Sequence, residues 1–282
     1  MLKHVATMEK DKLFRYLLLG TLAALIATFL IPDQPAKTAD FFSRDFAEIQ
    51  KDSVIRIATE YNSIGFHVNP DSSNLSGFHY ELIQAFAKHY KLRVDLTTEI
   101  NFEQQLKGLT TGKYDLLANS IHKTSELKDS ILLSHPLLIS QEVLVQRKPQ
   151  SAADSAIYID SQLDLAGKTI HIAKGSPTIY RIQNLAAEIA DTILIEEVEK
   201  YGPEQLIAMV AHGDIDYTVC DITTARAAAD SLPQLDIHTA ISFKQFYSWA
   251  VSKHSPVLLD SLNSWLDNYI KSKKYRLLYK RY

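Results

Sequence analysis

The side chains from which this 282-residue chain could build catalysis are ten histidines, a single cysteine, Cys220, and an adjacent pair of acids, Glu196-Glu197. Their spacing argues against it. Metal-assisted chemistry uses His and Cys at fixed intervals such as H-E-x-x-H. Here no two histidines stand at i, i+4 and no second cysteine exists, so His122, His135 and His171 read as surface or hydrogen-bonded core residues, and no metal site or cofactor is expected. G-x-S-x-G elbows and Walker loops are absent. Glu196 and Glu197 border a strand-like run in which neighbours point to opposite faces, so they read as a solvated edge rather than a general acid and base. Lys174-Gly175-Ser176-Pro177 follows a strand and precedes a helix. Its N–H groups and the Ser176 hydroxyl could receive an anion, or Ser176 caps the helix with Pro177 at its first position. One hydroxyl can do both.

Composition narrows the class. A chain that is 46% hydrophobic and 22% charged can bury a normal core and is neither disordered nor collagen-like. A net charge of -3, from 30 basic and 33 acidic residues, argues against a nucleic-acid partner. The basic stretch Lys271 to Arg281, interleaved with Tyr269, Leu277, Leu278 and Tyr282, fits a terminal helix whose cations suit the helix dipole.

Elements that would position a site recur in two series. Val54 to Thr59 is a predicted strand. Phe78, Leu82, Phe86 and Tyr90 repeat every fourth residue and predict a helix over 78–90. Leu92 to Thr97 predicts a strand, Phe102, Leu106 and Leu109 a helical face ended by Gly112, and Tyr114 to Ser120 a strand. The same alternation returns with strands at Thr169 to Ala173, Thr192 to Ile195 and Tyr217 to Cys220. Its helices are read from the Ile179, Ile182, Ala186 and Ile189 face and from Glu204 to His212. Such alternation implies parallel sheets covered by helices. Glu142 to Arg147 and Phe246 to Val251 read as two crossover strands forming a hinge between two lobes, with a cleft beyond the strand ends.

Tyr16 to Ile31 is an unbroken apolar run preceded by Lys10, Lys12 and Arg15 and stopped by Pro32. It lies between the length of a signal h-region and that of a spanning helix. No cysteine for lipidation follows it and no clean small-x-small cleavage site precedes Asp40, so an uncleaved signal anchor is expected, with the rest of the chain exported. Residues 32–53 read as a polar tether with at most a short helix.

The motifs G-F-H-Y-E-L-I-Q-A-F-A from Gly77, G-K-Y-D-L-L-A-N-S from Gly112, K-T-S-E from Lys123 and L-L-S-H-P-L from Leu132 occur in order. They are followed by L-A-G-K-T-I-H-I-A-K-G-S from Leu165 and H-G-D-I-D-Y-T-V-C-D from His212. Together these resemble bacterial solute-binding proteins of family 3 over residues 54–282, and among them the non-catalytic, ligand-binding half of membrane-bound lytic transglycosylase F. The resemblance implies an α/β, two-lobed periplasmic-binding-protein type II fold preceded by an N-terminal membrane helix. Lobe 1 would span residues 54–141 and 246–282 and lobe 2 residues 142–245, with hinge strands at 142–147 and 246–251. It further implies that Tyr61 and Phe102 sandwich a small ligand, that Asn119, Ser120 and His122 form its polar floor, that Ser176 donates from the second lobe, and that Asp221 pairs with a ligand ammonium. Each has a structural alternative: the aromatics as core, Asp221 as a helix cap through Thr223 or Thr224.

One departure is informative. The family places an arginine after T-x-x to grip a ligand carboxylate, and this chain has Leu127 there. A charge-assisted contact is worth roughly 1.5 to 3 kcal/mol, and neither Lys123 nor Lys128 reproduces an arginine fork. The ligand expected is one with an amino group and no free α-carboxylate at that position, such as an amino acid derivative, a peptide or a muropeptide fragment. The expected protein is a periplasmic, membrane-tethered binder serving an ABC permease or a cell-wall enzyme. It is not expected to be an enzyme, because the chain ends at Tyr282 without a lysozyme-like domain. The alternatives are a regulatory homologue of lytic transglycosylase F, a cleft enzyme of dehydratase type, or an envelope protein whose cleft has lost its ligand.

Overall fold

The computed structural model describes residues 43–69 and 73–282, which belong to one compact unit. The apolar run at 16–31 lies outside the described residues. Among the described residues no helix is long and apolar enough to cross a membrane.

The chain begins with α1 (Phe46–Asp52), β1 (Val54–Thr59), the short strands β2 (His67–Val68) and β3 (Leu75–Ser76), α2 (Phe78–Tyr90), β4 (Arg93–Thr98), α3 (Phe102–Thr110) and β5 (Leu116–His122). Then follow β6 (Ile131–Leu133), β7 (Leu138–Ser140), β8 (Glu142–Arg147), α4 (Ala152–Ile157), β9 (Thr169–Ala173), α5 (Thr178–Glu188), β10 (Leu194–Val198), α6 (Pro203–His212) and β11 (Thr218–Asp221). The last elements are α7 (Ile222–Ser231), β12 (Leu235–Asp236), β13 (Gln245–Ser252), α8 (Pro256–Tyr269) and α9 (Lys273–Arg281).

Two mixed sheets result. The first has the order β4-β1-β5-β13-β6, with β7 also beside β13, and the second the order β10-β9-β11-β8-β12. In each, three strands from the alternating series are parallel, as expected for crossover units. The strands that the sequence suggests as crossovers, β8 and β13, are instead antiparallel members of one sheet each. The chain changes sheets between Ser140 and Glu142 and returns between Ile241 and Gln245. These two crossings are tied together, since Ile241 N (2.8 Å) and Ser242 N (3.2 Å) both donate to Glu142 O, and Glu142 N donates to Ser242 Oγ at 2.9 Å.

Each sheet has its own apolar core. On α2, Phe78, Leu82, Ile83, Phe86 and Ala87 are buried along one helical face against Ile55, Ile57 and Trp249. In the second lobe Ile170, Ile172, Ile182 and Leu185 do the same, with Leu206, Ile207 and Val210 covering the other face. The terminal helix α9 buries Tyr275 and Leu278 in the first core and leaves its cations outward, while Leu277 is exposed.

The segment read as tether differs at its end. Residues 46–52 are helical and docked: Phe46 and Ile49, three apart, enter the first core, and the Asp45/Glu48 capping box closes the helix N-terminus. The capping box is local, but the docking is not: Asp45 also accepts from Val257 N and Leu258 N at the start of α8.

Candidate functional site

A cavity of about 580 Å³ lies between the two lobes, a size suited to a small ligand. Residues at or just beyond the carboxyl ends of the parallel strands line it, namely Glu60 after β1, Ser120 and His122 on β5, Ser176 after β9 and Asp221 at the end of β11. The lobes meet at its mouth. Ser63 N (2.8 Å) and Oγ (2.5 Å) donate to Glu204 Oε1 near the start of α6. Gly175, at φ +71°, lies so close to the first lobe that a Cβ there would stand 2.9 Å from Glu103 Cγ.

Six of the seven residues singled out from the sequence line this cavity. Tyr61 does not: it is half-exposed and packs edge-on against Phe66 with ring centroids 6.0 Å apart. Phe102 lines the cavity from the start of α3 and is also core, buried beside Leu109 and Leu117. Asn119 is committed within its lobe. Its Oδ1 accepts from Glu60 N at 2.9 Å and Thr59 Oγ1 at 3.2 Å, and its Nδ2 donates to Gln105 Oε1 at 2.5 Å. Burial lowers the His122 pKa, so its ring stays neutral against Tyr247 (5.6 Å between centroids).

Ser176 Oγ accepts from Thr178 N at 3.3 Å, where α5 begins one residue after Pro177. The loop around it does not favour an anion, because Gly175 N already donates to the Glu197 carboxylate at 3.1 Å and Lys174 is paired with Glu199. Glu197 and Glu196 are exposed on the edge strand β10. Asp221 caps α7 through Thr223 N at 2.8 Å and accepts from Ser140 Oγ, while its carboxylate still faces the cavity. Leu127 is 4% exposed in the core under α3 and does not line the cavity, nor do Lys123 and Lys128.

The sequence reasoning passed over several lining groups. Glu142, the first residue of β8, is 5% exposed, and burial pushes its pKa up to about 7; the Thr178 hydroxyl, at 2.6 Å from Oε1, opposes this while nearby Asp221 adds to it. Tyr247, from β13 of the other sheet, is 3% exposed. Glu142 Oε2 and the Tyr247 hydroxyl have no partner among the described residues. Glu60 is likewise pushed up to about 7 by burial, against the pull of its Gln105 hydrogen bond. The available signal was an acid heading an otherwise apolar strand, E-V-L-V.

The cavity is rich in acids. Glu60, Glu142, Glu204, Asp221 and Asp230 line it against Arg226 and Arg281, and Arg281 is already paired with Glu81 at 2.6 Å. Among the described residues no cluster of His, Cys, Asp and Glu is arranged to hold a metal ion.

Comparison with known proteins matches this architecture. The profile of bacterial extracellular solute-binding proteins, family 3, matches residues 55–282. Membrane-bound lytic murein transglycosylase F from Desulfosudis oleivorans is 27% identical over 236 residues, covering 83% of this chain and 50% of the relative. The protein of the same name from Cronobacter sakazakii is 27% identical over 264 residues, covering 91% of this chain and 48% of the relative. The chain thus spans about half the length of these relatives. Among solved structures, a mutant of ArgBP from T. maritima superposes with a TM-score of 0.71 at 24% identity, covering 83% of this chain and 97% of that one. The amino acid ABC transporter substrate-binding protein AbpA from Streptococcus pneumoniae, bound to L-arginine, gives 0.70 at 21% identity, covering 83% and 96%. These likenesses show the two-lobed α/β fold, and the profile match over most of the chain places it: the chain belongs to the bacterial extracellular solute-binding proteins, family 3.

Proposed function

We propose that the chain is an extracytoplasmic solute-binding protein whose lobes, hinged at the two crossings, close on a small ligand bearing an amino group but no free α-carboxylate at the position of Leu127. The observation that carries this reading is the make-up of the cavity: acids outnumber arginines in its lining, five to two, and the residue where the family has its carboxylate-gripping arginine is apolar core. Asp221 is the proposed partner of the ligand ammonium, with Ser120, His122 and Ser176 as polar contacts and Phe102 as an apolar wall. Arg226, exposed on α7 and lining the cavity, suits an anionic group farther along a peptide-like ligand. The apolar run at 16–31 is the proposed membrane tether, and a permease or a cell-wall enzyme the proposed partner. The reading is a binder rather than an enzyme, supported by the likeness to a solute-binding family and to solved amino-acid-binding proteins.

The test is calorimetry and thermal shift with free amino acids, their amides, dipeptides and muropeptide fragments. Amides or peptides should bind and raise Tm by mass action, through a stabilisation of about 2.7 kcal/mol at a hundredfold excess over Kd, and Asp221→Ala should abolish this in a folded protein. Tight binding of free amino acids with none of peptides would overturn it.

A second reading is favoured by the relatives themselves: as a non-catalytic regulatory homologue of lytic transglycosylase F, similar to about half of that protein, the chain would use its cleft to report a cell-wall fragment to a hydrolytic partner. Muropeptide fragments binding in preference to simple peptides would select it.

A further inference from the structure

We propose that Glu142 and Asp221 form one cradle for a protonated nitrogen group of the ligand, closed from the first lobe by the Tyr247 hydroxyl, and that the cradle loads by exchanging a proton for that cation. This deepens the ligand-binding reading above and rests on it.

The geometry begins with the ladder. Glu142 and Asp221 are direct partners in the antiparallel pairing of β8 with β11, so their side chains leave the same face of the sheet a few ångströms apart. Three of the four carboxylate oxygens have a partner: Asp221 Oδ1 takes Thr223 N, Asp221 Oδ2 takes Ser140 Oγ, and Glu142 Oε1 takes Thr178 Oγ1. The fourth, Glu142 Oε2, is buried and empty-handed among the described residues, as is the Tyr247 hydroxyl. All three residues line the cavity. Buried polar atoms without partners are rare in folded proteins, and two from different sheets lining one cavity beside a second carboxylate mark a place for a polar, positively charged group.

Two adjacent carboxylates do not both stay ionised without a cation. In the empty cradle Glu142 holds the proton below about pH 7, because burial disfavours its charge and Asp221 beside it adds to this. When a cationic N–H group enters, the proton leaves Glu142 for solvent and the carboxylate Oε2 accepts from the ligand, so the charge balances. The titratable and charged groups near Glu142 are Asp221 and the Cys220 thiol from β11, Arg181 from α5, beside the Thr178 hydroxyl, and Tyr247 from β13, whose ring packs edge-on against His122 of β5. Arg181 is engaged with Glu188 and Ile241 O.

The experiment uses the full chain in detergent and agmatine, a decarboxylated cation whose charge is constant between pH 6 and 8. Calorimetry at both pH values, in buffers of different ionisation enthalpy, reads affinity and protons released. Wild type should bind about tenfold more tightly at pH 8 than at pH 6, the ratio a single group near 7 imposes, with net proton release at pH 7. Glu142→Gln should lose that tenfold difference; a contribution from Glu60 is common to both proteins and cancels. Tyr247→Phe should weaken binding without lowering Tm. The proton count on wild type needs no variant, so a count of zero overturns the exchange even if a substitution impairs folding. Absence of agmatine binding, absence of proton release, or equal pH profiles in wild type and Glu142→Gln overturns the cradle. A peptide or amide bound equally well by wild type and Glu142→Gln removes the cradle and leaves the binding reading intact, whereas no ligand at all removes both.

Discussion

Trp249 sets the protonation of the histidine it touches. An indole N–H can only donate, so His79 Nδ1 accepts from Trp249 Nε1 at 3.0 Å, and the ring proton sits on Nε2, directed at Ser120 Oγ 3.2 Å away. Ser120 then keeps its own proton for the cavity. Burial pushes the His79 pKa down to about 3, so the relay is unchanged across the ordinary pH range. Glu142 and Glu60 move the other way, up to about 7. A carboxyl whose folded pKa exceeds its unfolded value makes its stabilising contribution below the unfolded value, near 4.5, and loses it as pH rises through about 7. The empty protein should therefore lose stability between pH 6 and pH 8, by about 1 kcal/mol for each such group. Glu142→Gln should remove its share of the slope and raise Tm at pH 8. Denaturant melts of both proteins at the two pH values check this, and parallel slopes would show that Glu142 is already ionised when the cavity is empty.

At the scale of elements, the lobes are held at the mouth of the cavity by the loop after β1 and the first turn of α6. Ser63 gives both its N–H and its hydroxyl to Glu204 Oε1. Hydrogen bonds to an exposed charge are worth about 1 kcal/mol net, so Glu204→Ala should move the empty protein roughly fivefold toward an open form. It should weaken ligand binding by up to that factor, because the binding-competent closed state becomes less populated. Small-angle scattering of the empty chain reads the opening as a larger radius of gyration, and an unchanged radius with unchanged affinity would show that the contact holds nothing. Most elements were legible in advance. Residues 78–90 carry a 3.6-residue repeat with buried Phe78, Leu82 and Phe86, and Thr169 to Ala173 alternates as a strand should. What was not legible depends on pairing between distant segments. Whether β8 and β13 join one sheet or bridge two is decided by register, and so is the meeting of Glu142 with Asp221, 79 residues along the chain and opposite each other only through the β8–β11 ladder. Tyr61 carried a signal of type and position without one of direction, and it packs on Phe66 rather than lining the cavity. Leu127 was legible as a departure from the family, and the structure adds that its side chain fills core.

For the molecule as a whole, the stretch leading into β1 is stapled to the first lobe, the lobe that also holds the C-terminal helix α9. Asp45 caps α1 and also accepts from Val257 N at 3.1 Å and Leu258 N at 2.7 Å, capping α8, so one carboxylate serves two helix N-termini. Next to it Arg44 reaches Asp115 at 2.5 Å, and Arg56 of β1 reaches the same carboxylate at 2.7 Å. The Asp115 side chain is fully buried, whereas the two arginines keep 17% and 20% of theirs in contact with solvent. Asp115→Asn keeps the shape but removes the charge that both arginines share. Breaking a buried pair costs about 3 to 5 kcal/mol. Here the lower figure applies, because water reaches the stranded arginines. For a folded unit of this size that is a fall in Tm of roughly 6 to 12 °C. Calorimetry should show it, with ligand affinity nearly unchanged because Asp115 lies outside the cavity lining. A fall of less than about 2 °C would mean that the core contacts of Phe46 and Ile49 hold the segment without the ion pairs.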